Sequence, residues 1–234
     1  MNSISIIIPA LNERANLEQL IPRIATACDN ANIAWEALVV DSDSKDGTDL
    51  LIKKIAEALP VRLLNEPVRG DLARAWRRGI EAAKHPFIIT MDADLCHTPE
   101  FIPELLAALD SADIVVASRY LNRERRKWTK SPYHEIASRL GQRFCHWALR
   151  LPLTDSSHGF RAFRKKLYER LKNDITTPGN TFLIAFIYHA HRSGAHIREI
   201  PYIYGKRLHG KDHLKVSREG IRFFAFTLSA WRKS

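Results

Sequence analysis

Residues Phe87 to Asp94 read FIITMDAD, an apolar run that delivers two carboxylates, Asp92 and Asp94, one residue apart where the chain turns. Carboxylates so spaced at a strand end can both reach one cation that also holds diphosphate oxygens. Aspartate is equally at home in surface turns, so it is the position after a buried strand that favours chemistry here. A second acidic set, Asp41, Asp43 and Asp46, closes the run LVVDSDSKDGT. Asp41 and Asp43 stand where a nucleotide base and ribose could be hydrogen-bonded, whereas Asp46 with Thr48 reads better as a turn and helix cap. In IIIPALNER, Pro9 is expected to stop strand pairing, and Asn12 and Glu13 fall near a helix start, another place for ribose or base contacts. His97, His158, His209 and His213 lie near these motifs, but without paired metal-ligand spacing they read as surface or cap residues.

Such groups need elements to hold them. Ile4 to Ile8, Ala37 to Val40, Val61 to Leu64, Phe87 to Met91 and Ile114 to Ala117 are short and rich in Ile and Val, like strands buried on both faces. Between them Leu72, Ala75, Trp76, Gly79, Ile80 and Ala83 make one helical stripe, and Leu51, Ile52, Ile55, Ala56 and Leu59 another. Alternating strands and helices predict βαβ units, a mostly parallel sheet covered by helices, and ligands beyond the carboxyl ends of the strands. After Tyr120 a basic loop leads to a helix from about Pro132 to Arg150. A strand-like GFRAFR, a helix over Thr181 to Arg192, a strand over His196 to Tyr204 and a last helix from Val216 follow. No repeat or low-complexity linker divides the chain, so one domain is expected.

The chain has 234 residues, 45% of them hydrophobic and 26% charged, which excludes a disordered or collagen-like protein. Its three cysteines, Cys28, Cys96 and Cys145, are far apart and unpaired in spacing, arguing against a disulfide framework or structural zinc and for a reducing compartment. The formal charge of +10 is concentrated in Arg119 to Lys130, net +5, and Lys206 to Arg222, net +4. Such clusters suit nucleic acid, an anionic membrane or a phosphorylated ligand. No nucleic-acid motif accompanies them and aromatics are not interleaved, so nucleic acid is not the expected partner. A Rossmann oxidoreductase is disfavoured because PALNER stands where GxGxxG would follow the first strand, and a nucleotidyltransferase lacks its Gly-rich phosphate loop.

The blocks PALNE, VVDSDSKDGT, RGDLARAWRRG, MDADLCHTPE, ASRY, DSSHGFRAFRK and REIPYIYGKRLHG occur in this order over about residues 3 to 214. In that order they resemble glycosyltransferase family two, and within it the dolichol-phosphate mannosyltransferase branch. The resemblance implies a single nucleotide-diphospho-sugar transferase domain of GT-A type over residues 1–214. Its donor half would span 1–120 and its acceptor half 121–214, with residues 215–234 an amphipathic helix of the same domain. It implies inverting transfer of a hexose, mannose from GDP-mannose in that branch, to a polyprenyl or dolichyl phosphate. Pro9, Ala10, Asn12, Glu13, Asp41, Asp43, Arg69 and Ala93 then resemble donor-binding positions, and Asp92 and Asp94 the ligands of Mg²⁺ or Mn²⁺. Arg119, Asp155, Gly159, Phe160 and Arg161 resemble donor and acceptor contacts, and Arg207 the arginine that neutralises phosphate.

Some positions depart from the branch. Cys96 stands where it usually has Gln, leaving either a water in that place or a different metal preference. His134 replaces an expected arginine, and Gly210, Lys211, Asp212 and His213 replace a Gly-x-Ser-Lys loop. Relatives that transfer to hydroxyls, which need a base, carry an acidic pair before the helix that begins GNTFLIAF, and residues 179–186 contain no carboxylate. That favours an acceptor already anionic, with Arg119, Arg207 and Lys211 on its phosphate; a hydroxyl acceptor or a UDP-glucose-type donor is the alternative. The apolar stretches Phe182 to Tyr188 and Phe223 to Trp231 fall far short of the ~20 residues of a membrane span, and the N-terminus lacks signal-peptide features. The expectation is a cytoplasmic protein lying peripherally on an anionic membrane through its C-terminal helix.

Overall fold

The computed structural model describes residues 3–121, 132–205 and 216–232, with the side chains of 132–139 and 216–218 left out. The element order is β1 Ser3–Ala10, α1 Arg14–Asn30, β2 Ala34–Asp41, α2 Thr48–Ile55, β3 Val61–Asn65, α3 Leu72–Ala82 and β4 Phe87–Thr90. Then come α4 Ile102–Ala108, β5 Ile114–Ser118, α5 Pro132–Leu149, β6 Arg161–Arg164, α6 Lys165–Leu171, α7 Thr181–Arg192, β7 Ile197–Pro201 and α8 Val216–Trp231. The strands form one sheet in the order β3-β2-β1-β4-β6-β5-β7.

Because side chains alternate along a strand, each apolar run must supply two cores. Ile4, Ile6 and Ile8 of β1 face a cluster completed by Leu17, Leu20, Ile21 and Ile24 of α1 and by Ile102 and Leu105 of α4. Ile7, with Leu38 and Val40 of β2, faces the opposite cluster with Trp76 and Ile80 of α3 and the apolar face of α7. Gly79 lets α3 approach: a Cβ there would lie 2.3 Å from Ile7 Cγ2 and 3.2 Å from Val40 Cγ2.

The sheet is mostly parallel as expected, with β6 running antiparallel between β4 and β5, so its amino end arrives at the carboxyl ends of its neighbours. Two other expectations change. Pro9 does not end pairing: β1 continues through Pro9↔Val40 and Ala10↔Asp41. The reason is the side on which its missing N–H falls. Ile7 O accepts from Met91 N on the β4 side, while Ala10 O accepts from Ser42 N on the β2 side. Odd positions therefore face β4, which has already ended at Thr90, and proline forfeits no ladder bond. The strand expected over His196 to Tyr204 is confined to Ile197–Pro201. The three cysteines are buried and free. Among the described residues no helix is long and apolar enough to cross a membrane.

Candidate active site

Beyond the carboxyl ends of β1, β2, β4 and β5 lies a cavity of about 910 Å³. β4 hands the chain to Asp92 and Asp94, both on the cavity wall. The Asp92 side chain is 38% exposed, whereas Asp94 is buried and its Oδ1 accepts from Cys96 N at 3.0 Å. Leu95 takes a positive φ of 65° to make this turn. Tyr202 clamps the turn from the segment after β7, its hydroxyl accepting from Thr98 N at 2.7 Å and donating to Cys96 O at 2.9 Å.

His97, expected at the surface, is fully buried. Its ring stacks on Phe160 at 4.9 Å, its Nδ1 accepts from Asp92 N at 2.8 Å, and its Nε2 lies 3.5 Å from Asp92 Oδ2. Burial lowers its pKa against the pull of Asp92 and Asp94, so the ring is neutral and braces the loop. His158 is buried too, its Nδ1 donating to Ala117 O, and burial followed by Arg119 holds its pKa well down. These two histidines are scaffold of the site, which corrects the surface reading. His209 and His213 lie outside the described residues, as do Arg207, Lys211 and the side chain of His134.

Asp92 and Asp94 offer oxygen donors that suit Mg²⁺ or Mn²⁺. Cys96 does not disturb that fit: burial and then Asp94 push its thiol up to about 12, so it stays protonated and is a poor ligand. No group of three or more His, Cys, Asp or Glu able to hold a metal occurs among the described residues. A divalent ion would therefore complete its shell with water and ligand oxygens.

Of the other expected donor positions, Pro9, Ala10, Glu13, Arg69 and Ala93 line the cavity, and Asn12, Asp41 and Asp43 do not. Asn12, at φ 57°, ties two loops: its N donates to Ser44 Oγ at 2.7 Å and its Oδ1 accepts from Lys45 N at 2.7 Å. Asp41 is buried and accepts from the Ser44 hydroxyl. Asp43 pairs with Lys45 and Arg69 beside the cavity mouth. Asp46 acts as the cap, accepting from Arg14 N at 3.0 Å and Thr48 N at 3.1 Å at the starts of α1 and α2.

Arg119, which also lines the cavity, leaves β5 and is held by Asp155 through Nε at 2.7 Å and Nη2 at 2.8 Å. Asp155 is fully buried. Burial resists its ionisation, but the Arg119 guanidinium prevails and brings its pKa to about 2. Arg161, expected near the acceptor, is fully buried and donates to the carbonyls of Ser156 and His158 at 2.6 Å and of Leu183 at 2.7 Å. Phe160 is core. Asp155, Phe160 and Arg161 thus stand behind the wall, held by Arg119, by the core and by backbone carbonyls respectively; Ser157, His158 and Gly159 of the same segment reach the cavity. A Cβ on Gly159 would lie 3.5 Å from Asp92 Oδ1.

Residues 5–172 match the sequence profile described as glycosyl transferase family 2. The chain belongs to that family. This family 2 glycosyltransferase is 30% identical over 235 residues to a protein named polyprenol monophosphomannose synthase from Mycolicibacterium smegmatis, covering 97% of this chain and 85% of the relative. It is 32% identical over 218 residues to one named dolichol-phosphate mannosyltransferase from Pyrococcus furiosus, covering 91% of this chain and 59% of that longer protein. Its fold is GT-A. It superposes on glucosyl-3-phosphoglycerate synthase from Mycobacterium tuberculosis with Mn²⁺, UDP and phosphoglyceric acid at a TM-score of 0.70 and 24% identity, over 98% of this chain and 78% of that one. The form with Mg²⁺ and UDP gives 0.69 at 23% identity, over 97% of this chain and 80% of that one.

The glycosyltransferase also brings residues to the cavity that its motifs did not announce. Trp76 comes from the α3 stripe expected to be core, Asn180 from just before α7, Leu183 from α7, and Glu219 and Arg222 from α8. Glu219 is the only acid in the α8 sequence, a mark of a position that faces something other than apolar packing.

Proposed function

We propose that this family 2 glycosyltransferase moves a hexose, mannose from GDP-mannose, to the phosphate of a polyprenyl or dolichyl lipid with inversion at the anomeric carbon. The observation that carries the reading is one cavity lined by Asp92, Asp94 and Arg119 together, in a chain so similar to proteins named as polyprenol-phosphate and dolichol-phosphate mannosyltransferases. Pro9, Ala10, Glu13 and Arg69 orient the nucleoside, and Asp92 and Asp94 would hold Mg²⁺ or Mn²⁺, which would supply positive charge to the leaving diphosphate. Arg119, fixed by Asp155, holds the acceptor phosphate opposite the leaving group together with Arg207 and Lys211. A phosphate at neutral pH attacks without losing a proton, so the site needs no general base. Residues 1–120 form the donor half and 121–214 the acceptor half of one domain that includes α8.

An anionic bilayer surface fits the outer face of α5 and α8. Leu140, Trp147, Ile221, Phe224 and Trp231 are exposed there, with Trp147 and Trp231 ring centroids 6.1 Å apart. Large exposed aromatics beside cations suit the headgroup region, and the acceptor lipid cannot leave the bilayer.

A second reading, transfer from a UDP-sugar to a hydroxyl, is favoured by Glu219, a carboxylate on the cavity wall. Thermal unfolding separates the donors. With Mg²⁺, GDP-mannose at a hundred times its Kd should stabilise by about 2.7 kcal/mol, roughly 5–10 °C for a domain of this size, and UDP-glucose by far less. Stabilisation by UDP-glucose alone, or by neither, refutes the donor assignment.

A further inference from the structure

The sequence places α8 as a surface or core helix, yet Glu219 and Arg222 at its first turns line the same cavity as Asp92, Asp94 and Arg119. The two are three residues apart, so they share one helix face, and Arg222 Nη1 donates to Glu219 Oε1 at 2.8 Å. The Glu219 side chain is 19% exposed and that of Arg222 32%. Glu219 is anchored from the other side, its Oε2 accepting from Asn180 N at 2.8 Å. The chain at that point is fixed to α3, because Gly179 N donates to Asp71 Oδ1 at 3.2 Å. Gly179 sits at φ +60°, and a Cβ on it would meet both Glu219 carboxylate oxygens within 2.9 Å. The Glu219 carboxylate therefore lies close against the Gly179 backbone. Ile221 and Phe224, on the opposite face of the same helix, are 72% and 54% exposed.

We infer that Arg222 is a further binding residue for the acceptor's phosphate, and that Glu219 is a positioning residue that aims the Arg222 fork into the cavity. This rests on the polyprenyl-phosphate reading given above and adds α8 to it. Glu219 accepts one N–H of a guanidinium that has five, and a planar fork so held presents its remaining edge to a dianion with little further ordering. The residue also links two parts of the molecule. The helix that would lie on the bilayer carries on its inner face a cation for the phosphate that the bilayer delivers.

The experiment is steady-state transfer from GDP-mannose to a short polyprenyl phosphate in detergent micelles, varying each substrate, for wild type, Arg222→Ala, Arg222→Lys and Glu219→Gln. Loss of charge-assisted bonds to phosphate should raise the acceptor KM of Arg222→Ala about tenfold or more, with the donor KM within about a factor of two. Arg222→Lys should recover part of the loss as a point charge. Glu219→Gln keeps an acceptor for Asn180 N but loses the ion pair, and should raise the acceptor KM with kcat little changed. If Arg222→Ala fails to fold, the lysine and glutamine variants carry the same test. An unmoved acceptor KM in wild-type-like variants, or equal rises in both KM values, overturns the inference alone. A kcat fallen by about a hundredfold in Glu219→Gln at unchanged acceptor KM marks a general base and also overturns it. A wild-type enzyme that does not use polyprenyl phosphate overturns the proposed acceptor, and this inference with it.

Discussion

Replacing Asp155 with Asn keeps the side chain's shape and removes the charge that holds Arg119. The carboxylate is fully buried and makes two bonds to the guanidinium within 2.8 Å and one to Arg119 N at 3.2 Å. Its backbone N–H is engaged as well, donating to Glu199 Oε1 at 2.7 Å. Removing one partner of a buried pair costs about 3–5 kcal/mol, which for a domain of this length lowers Tm by roughly 6–20 °C at pH 7. The pH dependence gives an independent magnitude. The shift from the ordinary 3.8 to about 2 corresponds to about 2 kcal/mol at ~1.36 kcal/mol per unit. Because the folded-state pKa lies below the unfolded one, that stabilisation is complete above about pH 5 and is lost as pH falls toward 2. Urea unfolding at pH 7 and at intervals down to the lowest pH at which both proteins fold should show the gap between wild type and Asp155→Asn narrowing by up to about 2 kcal/mol. A gap under about 1 kcal/mol at pH 7, or one independent of pH, would refute the assignment of Asp155 as the charged anchor of Arg119.

Asp92→Asn and Asp94→Asn should each lower kcat at least about a hundredfold, the loss of several kcal/mol of leaving-group stabilisation, with circular dichroism unchanged; a variant retaining a tenth of wild-type turnover would exclude the metal assignment. Gly79→Ala should destabilise by about 2–4 kcal/mol in denaturant melts, since its Cβ would stand 2.3 Å from Ile7 Cγ2 and overpacking between a helix and a sheet has no cheap relief. Trp147→Ser with Phe224→Ser should cut co-sedimentation with anionic liposomes at low salt while leaving Tm nearly unaltered, as both side chains are more than half exposed; undiminished sedimentation would remove this face from the membrane reading.

The first half of the fold was legible because its information is local. Short Ile and Val runs ending in Asp41 and Asp92 specify strands and their carboxyl ends without reference to the rest of the chain. The second half depends on partners distant in sequence. RAFR reads as a strand, but only its insertion between β4 and β5 makes it antiparallel. The segment leading into it buries Phe160 and Arg161 behind the cavity wall and leaves Gly159 on it. A buried arginine satisfied by three carbonyls is indistinguishable in sequence from one reaching for phosphate. The same holds for His97 and His158, whose burial follows from the convergence of Phe160, Tyr202 and Tyr204 around them. In sequence Glu219 and Arg222 belong to a charged run, and their i, i+3 spacing shows a shared face but not the cavity that the face meets.

The most direct test of the central claim is the product of one reaction: purified protein, Mg²⁺, GDP-mannose labelled in the sugar, and a polyprenyl phosphate in micelles. The account predicts that label moves into the organic phase as a mannosyl lipid phosphate of inverted, β configuration, and that chelation of the metal stops it. Label that stays in water as free mannose or sugar nucleotide, or a lipid product with the α configuration retained, would contradict it.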